Sequence, residues 1–198
     1  DLGQAVALAE LARASGVRHI VGLQGYQAPG ARFVRELIEN GDIGQLLTVS
    51  VVAAGGPAGR RIPQANVYAT DVAAGATVLS ISTGQLRIVG TEATLVVRPA
   101  LASPGSAGSI HITDWAISMS KPDGSATDLP VPGRFSPIPA AVPAGPPRNV
   151  AVLYREFARA ISDGQPATPD FATAVRYHQL LEQIQRASDT GIRQDAVG

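Results

Sequence analysis

The sequence predicts an α/β (α+β) chain in which a fragment of a parallel layer precedes a mostly antiparallel open sheet packed with C-terminal helices. Three observations carry this expectation. Residues 2–38 run helix, strand, helix; short β-branched runs parted by Gly, Pro, Asp and Ser fill 45–119; and two long amphipathic patterns close the chain.

The elements follow in order. Leu2, Ala5, Val6, Leu8, Ala9 and Ala12 recur at spacings of three and four, and Gly16 stands where a left-handed C-cap is wanted, so a helix is expected over 2–14. "VRHIVGL" (17–23) is a β-branched run suited to a strand buried on both faces of a parallel sheet. Pro29 fits a helix's first turn, and Phe33, Val34, Leu37 and Ile38 form one apolar stripe ending at Asn40-Gly41. Strands are expected at 45–53, 76–82, 85–90, 93–98 and 110–119, and with no helix pattern between them they should pair antiparallel. Residues 129–147, "LPVPGRFSPIPAAVPAGPP", are proline-dense and should run extended over a surface. Val152, Leu153, Phe157 and Ile161 stack on one closing helix; Ala174, Tyr177, Leu180, Leu181 and Ile184 stack on the next, which Asp170 caps.

Composition narrows the chemistry. The 198 residues carry 16 basic and 16 acidic side chains without a run of like charge, so the electrostatic footprint of a nucleic-acid binder is missing. There is no cysteine, which excludes disulfides, thiolate metal sites and a Cys nucleophile. Lys121 is the only lysine, and "KPDG" around it is a turn sequence, a poor setting for a lysine acid or Schiff base. No apolar run approaches the roughly 20 residues that span a bilayer. The opening "DLGQAVALAELARASG" lacks the basic leader of a secretory signal, and without an initiator Met the chain is expected to begin inside something longer.

Taken in order, "LAELARASGVRHIVGLQGYQAPGARFVRELIENGDIGQLLTVSV", "YATDVAAGATVLSISTG", "LRIVGTEATLVV" and "LYREFARAISDGQPATPDFATAVRYHQLLEQIQRASDTGIR" resemble the Gfo/Idh/MocA family of NAD(P)-dependent oxidoreductases. "Y..D...GA..L" looks most like the branch related to the galactose-pathway regulator Gal80. The resemblance implies that 1–44 are the last elements of a Rossmann domain and 45–198 a shortened α/β domain for substrate and oligomerisation. It implies NAD or NADP as cofactor, hydride transfer on a sugar or polyol, a homo-oligomer formed through the open sheet, and a cytoplasmic setting. The G-x-G-x-x-G turn that holds the pyrophosphate and the family's lysine motif would lie before Asp1, so the isolated chain is expected to be inactive. At Gly84-Gln85 the family normally inserts a histidine-bearing helix and several strands; Ser80 and Ser82 stand near where its histidine is expected. Either a block is lost there or the sheet is reduced.

Gln24 and Tyr26 follow the C-terminal end of the presumed parallel strand, the edge where open α/β sheets bind ligands, and the resemblance turns them toward the nicotinamide. The plain alternative is a polar strand-to-helix loop. Glycines 22, 25 and 30 have the wrong spacing to cradle phosphate. Tyr68 and Asp71 are candidates to hydrogen-bond a sugar hydroxyl, against a Tyr packed on the sheet and an Asp capping a helix. His19, His111 and His178 show no metal-ligand spacing, "SISTG" lacks a nucleophile elbow, and Arg60-Arg61 read as a solvated loop. No catalytic residue and no metal ligand is assigned.

Overall fold

The computed structural model describes residues 1–54, 83–100, 110 and 112–195. The strand expected at 76–82, together with Tyr68, Asp71, Arg60, Arg61, Ser80, Ser82 and His111, lies outside these residues. Packing divides the chain into two units, one of Asp1–Leu23 with Leu153–Gly198 and one of Gln24–Val152. This partition follows packing, whereas the boundary expected at residue 44 rested on the resemblance alone.

In the first unit, α1 (Leu2–Ser15) packs on α4 (Phe171–Thr190). Asp1 and Gln4 form a capping box, in which the Asp1 carboxylate accepts from Gln4 N at 2.9 Å. Gly16, at φ 66°, closes the helix by donating its N–H to Ala12 O. The buried positions of α1 are Ala5 and Ala12, while Leu8 and Leu11 are exposed. The helix therefore seats its small residues on α4 and leaves its large ones outward.

Residues 17–23 correct the expectation of a strand buried on both faces. Among the described residues they belong to no helix or ladder; Val21 N donates to Pro169 O at 2.8 Å, Leu23 N to Val21 O at 2.7 Å in a tight turn, and Val17 is exposed. A β-branched run becomes a parallel strand only where neighbouring strands accept its backbone, and among the described residues none does.

The second unit is built on an antiparallel meander in the order β1 (Leu46–Ala54), β2 (Thr83–Gly90), β3 (Thr94–Pro99), β4 (Trp115–Ser120) and β5 (Ala126–Asp128). Five antiparallel strands with helices are the architecture the turn-punctuated runs predicted. β4 starts at Trp115, later than the expected 110, and the three-residue β5 was not foreseen. Cross-strand partners share a face, so Leu95 and Val97 align with Leu86, Ile88, Ile117 and Met119 on one side. Against this side α2 (Pro29–Glu39) lays Phe33, Val34 and Leu37, and Phe135 and Ile43 complete the core. The opposite face is mixed: Thr48, Ser50 and Val52 on β1, Arg87 and Val89 on β2, Thr94, Val96 and Arg98 on β3, Ser118 and Ser120 on β4.

Two turns that look ordinary in sequence lie against each other. Glu92 N donates to Ile43 O and Thr91 N to Gln45 O, each at 3.0 Å, and Gln45 N donates to Thr91 Oγ1 at 3.0 Å. "GDIG" and "GTEA" are thus zipped together at the start of β1 and the end of β2. Gly44, at φ 69°, packs on Thr91 and Glu92, and a side chain at Gly90 would run into the Ile43 carbonyl.

The proline-dense stretch holds a single 3-10 turn, Gly133–Phe135, whose Phe135 is buried against Phe33 with ring centroids 5.6 Å apart. α3 (Pro146–Ser162) then begins at the Pro-Pro pair. Asn149, in its first turn, is buried and donates its amide to Ile112 O at 3.1 Å. Gly145 N donates to an Asp114 carboxylate oxygen at 3.1 Å, fixing the entry to the helix.

Candidate functional site

The site builds up from the loop that opens the second unit. Gln24–Tyr26 form one 3-10 turn, and α2 starts three residues later at Pro29. Ala28 holds the N-cap position with no side-chain hydrogen bond, so no local side chain caps the first N–H groups of α2. Close packing fixes this start. A Cβ at Gly30 would lie 2.7 Å from Trp115 Cβ, so only glycine lets the helix sit directly on the indole. The Trp115 ring is itself held, its Nε1 donating to Ile110 O at 2.7 Å.

Two polar features distinguish the loop. Gln24 is half-buried, but its Oε1 is shut away from solvent and, among the described residues, has no hydrogen-bond partner. A buried acceptor without a donor costs about 1–3 kcal/mol, a state that Gln24 Oε1 shares with Thr113 Oγ1 and Asn149 Oδ1 in the same unit. Tyr26 is half-buried, with the Arg35 guanidinium carbon 4.9 Å from its ring centroid. That cation–π contact ties the ring to α2. Further along the same helix, Arg32 lies 5.9 Å from the Phe135 ring, and Glu36 is ion-paired with Arg134.

The structure therefore places Gln24 and Tyr26 on one turn, two residues apart. Tyr68 and Asp71 are outside the described residues. Arg35 is the member of the cluster that sequence reasoning missed: it lies nine residues beyond Tyr26, and no periodicity links a loop residue to the helix that follows it.

His19 stacks on Phe171 with centroids 4.8 Å apart, 15° from parallel, and His178 sits half-buried on α4. Partial burial pushes the Asp170 carboxyl up, but hydrogen bonds from Thr173 Oγ1 and N, both 2.8 Å, together with the nearby His19 charge, outweigh it and hold the group below its ordinary value. Lys121 is exposed at the β4–β5 turn, its N–H bonded to Ser125 O at 2.9 Å, as the "KPDG" reading required. Among the described residues no cluster of three or more His, Asp or Glu could hold a metal, and no helix is long and apolar enough to cross a membrane.

An antiparallel sheet entered through a polar loop and a helix, and followed by a helical pair, is an arrangement this chain shares with solved structures of other proteins. Among solved structures the chain is similar to an NAD binding oxidoreductase from Klebsiella pneumoniae, with TM-score 0.72 and 14% identity, covering 100% of this chain and 71% of that one. It is also similar to an oxidoreductase domain protein from Kribbella flavida, with TM-score 0.67, 11% identity and the same two coverages, 100% and 71%. A third is a mutant of KijD10, a 3-ketoreductase from Actinomadura kijaniata in complex with TDP-benzene and NADP: TM-score 0.54, 14% identity, 94% of this chain and 66% of that one. At such identities the likeness is one of fold. No protein-family model and no curated protein sequence matches the chain.

Proposed function

We propose that the chain is the C-terminal portion of a Gfo/Idh/MocA-type NAD(P)-dependent oxidoreductase that transfers hydride to or from a sugar- or polyol-like substrate. In this reading 1–44 supply the last dinucleotide-binding elements, and 45–198 supply the substrate and oligomerisation part of a cytoplasmic homo-oligomer. The carrying observation is the orphaned Gln24 Oε1 on a chain whose whole length follows the fold of an NAD binding oxidoreductase.

The donor set fits one end of a nicotinamide cofactor. A carboxamide presents N–H donors, and Gln24 Oε1 is a buried acceptor that lacks one. Tyr26, clamped by Arg35, offers a fixed aromatic wall and a hydroxyl. When bound, the cofactor supplies the hydride chemistry; this chain's residues bind and orient its nicotinamide half and keep water from it. Tyr68 and Asp71 are assigned to substrate hydroxyls on the resemblance alone. The pyrophosphate turn and the catalytic lysine are not among these residues, so the chain by itself should be inactive.

The test uses half-ligands, read by Trp115, the only tryptophan, which packs on the start of α2. Nicotinamide mononucleotide should quench it weakly and saturably and adenosine monophosphate should not, and Gln24→Leu should abolish the quench. Equal response to both halves, or a quench that survives Gln24→Leu, overturns the assignment. A Gal80-like regulator is the second reading, supported by serines near the position of the family's histidine; it would bind dinucleotide yet never oxidise NADH with keto sugars, whatever segments are restored to it.

A further inference from the structure

We propose that Arg35 reads an anionic group on the substrate, so that the molecule received beside Gln24 and Tyr26 is an acidic sugar, bearing a carboxylate or a phosphate. That the anion is carried by a substrate rests on the oxidoreductase reading; that Arg35 holds an anion does not.

The setting of Arg35 is electropositive. Residues 24–35 contain no carboxylate. The first N–H groups of α2 are capped by no side chain, so the partial positive charge of that helix end is also uncompensated locally. The acids that follow leave Arg35 alone. Glu36 is ion-paired with Arg134, and Glu39, one turn ahead on the same helix, makes no ion pair with Arg35 among the described residues.

Arg35 turns instead to Tyr26, its guanidinium carbon 4.9 Å from the ring centroid. A cation–π contact engages the charge through the ring and uses none of the five N–H donors in an ordinary hydrogen bond. Among the described residues those donors have no acceptor, and the side chain is exposed. The half-buried Tyr26 thus holds the arm in place and leaves its fork open. A planar fork of this kind matches the two oxygens of a carboxylate or phosphate, and an arm already ordered loses less entropy when it closes on one. Charge also argues for an anion on the other reactant. In its oxidised form a nicotinamide is a cation, so a free guanidinium beside it is a repulsion, which an anionic substrate lying between them turns into attraction.

Titration of the full chain followed by 1H–15N NMR tests this, read at the Arg35 Nε–H and at the backbone amides of residues 24–26. D-Glucuronate or D-glucose 6-phosphate should move the Arg35 signal saturably, while D-glucose at the same concentration leaves it in place; the tighter of the two acids names the anion. Read on the loop amides, Arg35→Gln should raise the Kd for that acid about tenfold. Arg35→Lys, which keeps the charge without the fork, should recover only part of the loss. Nicotinamide riboside and nicotinamide mononucleotide, which differ by one phosphate, form a second arm: both should move the Gln24 side-chain amide, and neither should move Arg35. A failed nicotinamide arm beside an intact acid arm defeats the oxidoreductase reading and supports the anion site. An Arg35 signal that answers neither acid, or answers glucose equally, overturns the proposal, as does an acid Kd unchanged in Arg35→Gln. A shift of Arg35 with the mononucleotide but not the riboside overturns it too, because the anion would then be the cofactor's own phosphate.

Discussion

Replacing Gln24 by methionine should make the free chain more stable while weakening its hold on nicotinamide. The two side chains are close in length and volume, so the change trades a polar terminus for an apolar one with little new void. In the wild type Gln24 Oε1 is buried without a partner among the described residues. Leaving such an acceptor unsatisfied costs about 1–3 kcal/mol, and because the residue as a whole is only half-buried, the lower end of that range applies, about 1 kcal/mol. For a chain of this size that corresponds to a rise of roughly 2–4 °C in Tm, read by differential scanning calorimetry without ligand. Gln24→Ala is the control, since it removes the same oxygen together with the packing of the stem and should not stabilise. Any donor that reaches Oε1 in the complex finds none in the methionine variant, so binding of nicotinamide mononucleotide should fall about fivefold to thirtyfold, the equivalent of a lost hydrogen bond of about 1–2 kcal/mol. Opposite signs in the two measurements are the signature of an acceptor held ready for a ligand. A Tm that drops in Gln24→Met as far as in Gln24→Ala would refute the reasoning, because the oxygen would then already be serving the fold.

Two further expectations concern the scaffold. Gly90→Ala drives a Cβ into the Ile43 carbonyl, with Ile43 C at 2.9 Å, and since backbone must move it should cost about 3 kcal/mol or more, whereas Gly16→Ala meets nothing within 4 Å and pays only for φ 66°, about 1 kcal/mol; urea denaturation of the two variants should preserve that order. Asp170 is held below its ordinary pKa when folded, so its contribution is complete above the unfolded value near pH 3.9 and is lost as the pH falls through the lower folded value; thermal melts between about pH 6 and 2.5 should show this acid loss in the wild type and a smaller one in Asp170→Asn, which caps without ionising.

The antiparallel meander was legible because its signals are local. Each strand carries its own β-branched run, and each break carries Gly, Asp, Pro or Ser, so neither existence nor pairing sense needed tertiary information. Boundaries were less so: Trp115 starts β4 five residues after the expected point, and just before it the Ile112 carbonyl and the Asp114 carboxylate meet the entry to α3, a long-range demand with no local trace. Residues 17–23 fail for the complementary reason. Their composition is that of a buried parallel strand, but strand formation is a property of a pair, and composition describes one member of it.

The site divides along the same line. Position marked out Gln24 and Tyr26, because the end of an apolar run before a helix is where ligands meet an open α/β layer. What turned a polar loop into a candidate site was not legible: the burial of one oxygen without a donor, and an arginine on the following helix that clamps the aromatic ring. Both follow from how α2 seats, and α2 seats as it does because Gly30 admits Trp115 from a strand 85 residues away in sequence. A larger residue at Gly30 would lift the first turn of α2 from the indole and carry the Gln24 loop with it. The glycine that looked like a failed phosphate-binding residue is, in the folded chain, what sets the height of the loop over the sheet.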